Sequence, residues 1–385
     1  MKIALVADYI WKKGGTSLFF YHLAKYFSLR HDVHLFANKI DEEIRKNENI
    51  TIHKISPFVP IELFECIIFF ILCSIKLKKG KYDIIHTAGT AAYGANIISC
   101  HLIHSAYEKC VFKTKKSRLK DIYHFIYTKF NSLLEKLIFK RNCNRFIAIS
   151  HKIEKELETF GVPQDRISLI YRGVDLQEYR QDNRKKVRER LTRTLGLNKD
   201  SFLILFAGDL TRRGKGLDYL LASIKNIHEE TVKLLIAGNL RHNIYEKRVK
   251  KMGLGERVIL LGFIDDLPDI YSGCDLFVFP SLYDGFGLVV IEAMASGLPV
   301  VVSKYAGASE IIEDGKDGVI LKNPEDVEAL SEIILGLKID KKLRERLGKN
   351  ARKSVMKYDW LNMAKKVEEV YFTEFSKEGH YGKSI

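Results

Sequence analysis

Two carboxylates, Asp284 and Glu292, flank a glycine-broken loop in the stretch SLYDGFGLVVIEAMASGLPVV. Gly285 and Gly287 let a backbone pass close to a ligand, and the apolar run from Leu288 reads as a buried helix. A helix whose N-terminus faces a glycine-lined opening offers N–H groups and the positive end of its dipole to an anion. Backbone donors around Phe286, Gly287 and Leu288 would then meet a phosphate. Asp284 in the loop and Glu292 on the helix would accept hydrogen bonds from hydroxyls beside it. A phosphate next to a polyol is the chemical outline of a sugar nucleotide. An ordinary buried strand–helix–strand unit with an incidental acidic pair explains the apolar residues, but not Gly285, Gly287 and Glu292 together.

Two other clusters are suited to anions. GDLTRRGKGLDYLL places Arg212, Arg213 and Lys215 among glycines just before a helix expected from Leu217. Cations at a helix N-terminus oppose its dipole, and a nearby anion is the simplest compensation; a solvated basic turn is the alternative. Arg213 and Lys215 are the main candidates and Arg212 the reserve. In WKKGGTS, Gly14 and Gly15 lie between a first strand and a helical pattern. A double glycine there is phosphate-loop chemistry in outline, although tight turns use glycine pairs too. The chain lacks GxGxxG and GK[ST] at this point.

The elements that must carry these residues alternate. Lys2–Ala7, Asp32–Ala37, Ile50–Ile55, Tyr82–His86, Asn96–Ile103 and Arg145–Ser150 read as strands of a first half. Phe202–Ala207, Val232–Ala237, Val258–Leu261, Asp275–Phe279, Pro299–Val302 and Gly318–Leu321 read as strands of a second, with helical patterns between. A chain of 385 residues is long for one core and comfortable for two domains. The order predicts two doubly wound α/β domains with ligand at the carboxyl ends of the strands.

Basic residues exceed acidic ones to give +15, which points to an anionic partner. From Lys109 to Arg145, eleven Lys and Arg stand against Asp121 and Glu135, interleaved with aromatics and, from Arg118, at helical spacing. Such a segment can bind RNA, lie on an anionic bilayer, or be a solvated helix packing its aromatics inward. No RNA-binding signature is present, so no nucleic-acid partner is expected, and a membrane surface or phosphorylated acceptor is the better functional reading. The apolar segment Phe58–Ile75 is broken by Glu62 and Glu65, too short for a span of about 20 residues. It reads as a helix partly buried in its domain, with an exposed apolar face that could touch a bilayer; a wholly buried core helix is the alternative. Cys66, Cys73, Cys100, Cys110, Cys143 and Cys274 show no CxxC spacing, which indicates reduced thiols, no zinc and a cytoplasmic location. Asp8 interrupts the first apolar run, so the N-terminus reads as a strand rather than a signal peptide.

SLYDGFGLVVIEAMASGLPVV resembles the sugar-nucleotide signature of retaining GT-B glycosyltransferases, the group that includes lipopolysaccharide-core and other lipid-linked sugar transferases. The signature has two glutamates separated by seven residues; this chain keeps the second as Glu292 and carries Asp284 at the first. The resemblance implies two Rossmann-like domains facing a central cleft. Residues 1–172 would form an acceptor-side domain, 173–357 a nucleotide-sugar domain, and a terminal helix from 358–385 would cross back. It implies a hexosyltransferase whose donor is a nucleotide-diphosphate sugar, UDP-glucose or a related hexose first, with GDP-mannose and UDP-N-acetylglucosamine behind. Glu292 would hold the ribose, and Asp284 the donor sugar or its phosphate. Arg213 and Lys215 would stabilise the departing diphosphate, although the arginine usual after the first glycine of that loop is Asp209. Gly262 and Phe263 match the turn that seats the base. His101 best fits the histidine that follows a strand at the cleft floor, with His104 its rival, and Arg172 stands where asparagine is common. The resemblance further implies a glycan or glycolipid acceptor, attack from the face the leaving group vacates, and no cofactor or metal, the adjacent Asp265 and Asp266 reading as helix caps. A peripheral position on the inner face of the plasma membrane would follow. A sugar-nucleotide epimerase or hydrolase on the same scaffold, or a non-catalytic glycan or membrane adaptor, are the alternatives.

Overall fold

The computed structural model describes residues 1–57, 61–111, 119–141, 145–180, 184–210, 214–239, 244–264 and 267–381. The chain divides into two compact units, 1–173 with 360–385, and 174–359.

In the first unit the main strands are β1 (Lys2–Val6), β3 (Asp32–Ala37), β5 (Ile50–Lys54), β6 (Ile84–Ala88), β7 (Ile97–Cys100), β8 (Arg145–Ala148) and β9 (Ile167–Leu169). They form a parallel sheet in the order β5–β3–β1–β6–β7–β8–β9. β2 (Tyr9–Ile10) and β4 (Lys39–Ile40) make a separate parallel pair, too short for any alternation to announce it. Near-continuous apolar strands fit a sheet covered on both faces. The helix Gly15–Phe27 buries Phe19, Phe20, Leu23, Ala24 and Phe27. The helix Glu62–Lys79 lays Phe69, Cys73 and Leu77 on Ala4, Val6 and Phe36. It begins and ends later than the apolar run suggests. Glu62 and Glu65 occupy its first turn and Lys76, Lys78 and Lys79 its last, the arrangement its dipole favours. The final helix, Trp360–Tyr381, belongs to this unit, tied by Tyr26 Oη to Glu368 at 2.8 Å and by Arg145 Nε to Glu374 at 2.9 Å.

The second unit carries β10 (Phe202–Ala207), β11 (Val232–Ala237), β12 (Val258–Gly262), β13 (Leu276–Phe279), β14 (Val300–Ser303) and β15 (Val319–Leu321). Its parallel order is β12–β11–β10–β13–β14–β15. Both sheets reverse direction of growth beside their first strand, between β1 and β6 and between β10 and β13. In doubly wound sheets that reversal opens a crevice at the strands' carboxyl ends. Between β14 and β15 the chain makes a 3-10 turn, Gly307–Ile311. Cys66, Cys73, Cys100, Cys110 and Cys274 are free thiols; Cys143 lies outside the described residues.

Candidate active site

In the second unit the loops leaving β10 and β13 are pinned together by backbone. Gly214 O accepts from Leu282 N at 2.7 Å and from Ser281 Oγ at 2.9 Å. Gly216 has φ +75°, and a Cβ there would overlap Pro280 O, so only glycine allows this approach. The docking brings Lys215 Nζ into an ion pair with Asp284 Oδ2, over the ring of Phe279. Asp284 Oδ1 accepts from Phe286 N at 3.1 Å, and Asp284 O accepts from Gly307 N at 3.1 Å. The acid is therefore oriented from both its side chain and its peptide. Gly287, at φ +94°, starts the helix Leu288–Ala295.

Glu292 lies on that helix and is buried. Tyr271 Oη stands 3.0 Å from Glu292 Oε2, and Tyr179 also hydrogen-bonds this carboxylate. Burial first, then the Glu292 charge, raises both phenols above their ordinary range, so they act as donors. Gly262, at φ +74° with open space around it, ends β12, two strands away from β10, and Phe263, 61% exposed, follows it. Arg212, Arg213, Asp265 and Asp266 lie outside the described residues. Among the described residues no His, Cys, Asp and Glu cluster could hold a metal ion.

The first unit gathers a different set. Gly14, at φ +85°, caps the helix Gly15–Phe27, and a Cβ on Gly15 would overlap Arg172 Nη1. Arg172 is buried, and its Nη2 lies 3.1 Å from Nδ1 of His101, which directly follows β7. Phe19 meets the His101 ring edge to face at 4.9 Å between centroids. Burial, then the charge of Arg172 and the nearness of His86, holds the His101 pKa well below its usual value. His104 is turned elsewhere: its Nδ1 and its backbone N lie 2.7 and 2.8 Å from Glu135 Oε1. Asp8, just past β1, has a pKa raised to about 7 by burial and by Glu65 and Glu62. The sequence shows Asp8 only as an interruption, and nothing in it announces Tyr179, Tyr271 or the Arg172–His101 contact, which join distant segments.

Two neighbouring helices of this unit turn apolar residues outward. Phe64, Ile71, Leu72 and Ile75 on Glu62–Lys79 are exposed, as are Phe125, Ile126, Leu133 and Leu137 on Leu119–Arg141. Tyr123 Oη accepts from Leu63 N at 3.1 Å and Tyr127 Oη lies 3.5 Å from Cys66 Sγ, which places the helices side by side. The longer helix buries Thr128, Asn131, Ser132 and Glu135 alongside Ile138 and Phe139, so its inward face is partly polar. Among the described residues no helix is long and apolar enough to cross a membrane.

Two doubly wound parallel units with a cation–carboxylate pair at the strand ends define a GT-B type α/β protein. Residues 13–178 match the family description Glycosyltransferase Family 4, and 187–354 match Glycosyl transferases group 1. An uncharacterised glycosyltransferase of Methanocaldococcus jannaschii is 33% identical over 301 residues, covering 76% of this chain and 75% of that protein. A UDP-Gal:alpha-D-GlcNAc-diphosphoundecaprenol alpha-1,3-galactosyltransferase of Escherichia coli is 27% identical, with 76% and 75% covered. The crystal structure of WaaG, a glycosyltransferase involved in lipopolysaccharide biosynthesis, superposes with TM-score 0.80 at 16% identity, covering 96% and 99% of the two chains. Sucrose-phosphate synthase from Thermosynechococcus elongatus gives TM-score 0.80 at 23% identity, covering 98% and 99%. The chain belongs to the group 1 glycosyltransferases.

Proposed function

We propose that this glycosyltransferase moves a hexose, with retention of anomeric configuration, from a nucleotide-diphosphate sugar to a lipid-linked or lipopolysaccharide-core type glycan. The observation that carries the reading is the Lys215–Asp284 pair, held in the loops at the carboxyl ends of β10 and β13, just before the helix that bears Glu292. An arriving diphosphate offers Lys215 an anion in place of Asp284, and frees the carboxylate to accept from a sugar hydroxyl. Glu292, braced by two tyrosines, accepts from the ribose. Lys215, joined by Arg213, opposes the negative charge that grows on the leaving diphosphate, electrostatic work that is often the largest part of such catalysis. The acceptor hydroxyl attacks from the vacated face and passes its proton to a phosphate oxygen. The reading requires no cofactor or metal.

UDP-glucose is the first donor to test. The Escherichia coli relative is named for a UDP-sugar, and a solved Anabaena neighbour contains UDP-glucose. The outward apolar stripes, bordered by the exposed Lys76, Lys129, Lys136 and Lys140, suit a peripheral seat on anionic lipid. Each such cation near the surface contributes about 1 kcal/mol.

A thermal-shift screen against UDP, GDP, ADP and their sugars, followed by product analysis with a polyprenyl-linked glycan acceptor, tests the function. Stabilisation by one nucleotide and acceptor-dependent transfer are expected. Free sugar released without acceptor would indicate a hydrolase, interconversion of the sugar nucleotide an epimerase, and binding without turnover an adaptor.

A further inference from the structure

A guanidinium has five N–H donors and no acceptor. The 3.1 Å contact between Arg172 Nη2 and His101 Nδ1 is therefore a hydrogen bond only when Nδ1 presents its lone pair. The single proton of the neutral ring then sits on Nε2. That atom is shielded from solvent and has no hydrogen-bond partner among the described residues. A buried donor left unpaired carries a desolvation penalty, which a ligand oxygen removes.

We infer that Arg172 is a positioning residue that locks His101 as its Nε2–H tautomer, so that His101 offers a hydrogen bond to a hydroxyl oxygen of the substrate sugar and does not act as a base. The inference rests on the proposed glycosyl transfer and on the family resemblance, which implies a histidine beside the reacting sugar at the position of His101. Nε2 has no lone pair in this tautomer, and a second proton on the ring would turn an N–H toward Arg172. The groups around the ring enforce this: the Arg172 cation, the neighbouring His86, and the apolar faces of Phe19 and Phe20. A fixed tautomer set by the other ring nitrogen is the usual way an imidazole is assigned its role. Gly15 belongs to the device, since a side chain there would meet Arg172 Nη1 and push the guanidinium off the ring.

The test is nitrogen-15 NMR of the full-length protein with ring-labelled histidine, the His101 signals being assigned by their loss in His101→Gln. Wild type is expected to show one neutral tautomer, protonated at Nε2, from about pH 8 to about pH 5.5, across the range where an ordinary imidazole charges. Arg172→Met and Gly15→Ala should each release a tautomer mixture and let the ring charge nearer its ordinary pKa. Arg172→Lys, whose ammonium is also donor-only, should restore the Nε2–H form. A protonated Nδ1 in wild type, an imidazolium near neutrality, or an unchanged spectrum in a folded Arg172→Met would overturn the inference.

Kinetics form the second arm. Arg172→Met should lower kcat about tenfold, the equivalent of one lost hydrogen bond, with the donor KM little changed. His101→Gln, whose amide N–H reaches toward the Nε2 position, should retain more kcat than His101→Asn, which reaches only Nδ1. The expected tautomer together with wild-type kcat in both His101 variants would overturn the role at the sugar while leaving glycosyl transfer itself standing.

Discussion

Each unit holds a cation near the carboxyl end of its sheet, Lys215 in one and Arg172 in the other, and the two are held differently. In the second unit, Lys215 and Asp284 keep 20% and 17% of their side chains exposed and neutralise each other across a loop-to-loop contact. In the first unit, Arg172 is only 5% exposed and one of its nitrogens faces a neutral ring. A partly solvated ion pair can exchange partners when an anion arrives. A buried guanidinium against an imidazole lone pair instead keeps one geometry. We read the first as the element that responds to the donor's charge and the second as the element that fixes where a hydrogen bond is offered.

Removing the carboxylates should have the largest effect. Glu292→Ala leaves Tyr179 and Tyr271 facing an apolar gap and takes away the ribose acceptor, and Asp284→Ala leaves Lys215 without its counter-ion. Both should reduce transfer by at least about a thousandfold, the scale of lost preorganised contacts, measured as acceptor-dependent product formation. Wild-type rates in either would contradict the site. Asp284→Asn sharpens the comparison, because its amide oxygen can still accept from Phe286 N while the charge is gone. An Asp284→Asn enzyme as slow as Asp284→Ala would assign the loss to charge, and one close to wild type would assign it to loop geometry.

Next comes the cation. Arg213→Ala with Lys215→Ala should lower kcat by about a hundredfold through lost stabilisation of the leaving group. The melting temperature should move by only a few degrees, because a partly exposed pair contributes about 1 kcal/mol or less. A collapse in melting temperature with little change in the activity of the remaining folded protein would make the loop structural.

How much of this was legible in the sequence depended on distance along the chain. Strand and helix order could be read because most strands of both main sheets are local runs of apolar residues, β5 (ITIHK) and β9 (ISL) being the weakest. The loop from Asp284 to Gly287 and its helix could be read because they are contiguous. The partners that complete them could not: Tyr271 reaches Glu292 across 21 positions and Arg172 reaches His101 across 71. Sequence pattern carries no signal for such contacts, which exist only once parallel strands bring their carboxyl ends together. The long basic helix was misleading for another reason. Its periodicity is genuine, yet Asn131, Ser132 and Glu135 turn inward, where Glu135 accepts from His104, while Leu133 and Leu137 face out.

The remaining prediction concerns the neutrality of the buried histidines in the first unit. His86 is fully buried, with Nδ1 2.5 Å from Tyr371 Oη and Nε2 2.5 Å from Ser99 Oγ, and burial lowers its pKa to about 3. In the unfolded chain the same ring charges near its ordinary value of about 6.5. Between those values the unfolded state binds a proton that the folded state refuses. The stabilisation is therefore complete above about pH 6.5 and declines as the pH falls toward about 3, by up to about 1.4 kcal/mol per pH unit. His101, depressed in the same direction, adds to the slope. Urea unfolding of the first unit followed between pH 7.5 and pH 5 should thus show stability falling with acid. His86→Gln, which keeps a donor and an acceptor but cannot titrate, should be less stable at neutral pH yet lose less on acidification. Parallel pH profiles for the two proteins would mean that His86 takes up its proton inside the fold. The His101 tautomer would then have to be held by burial against Phe19 and Phe20 and by Arg172, without a contribution from His86.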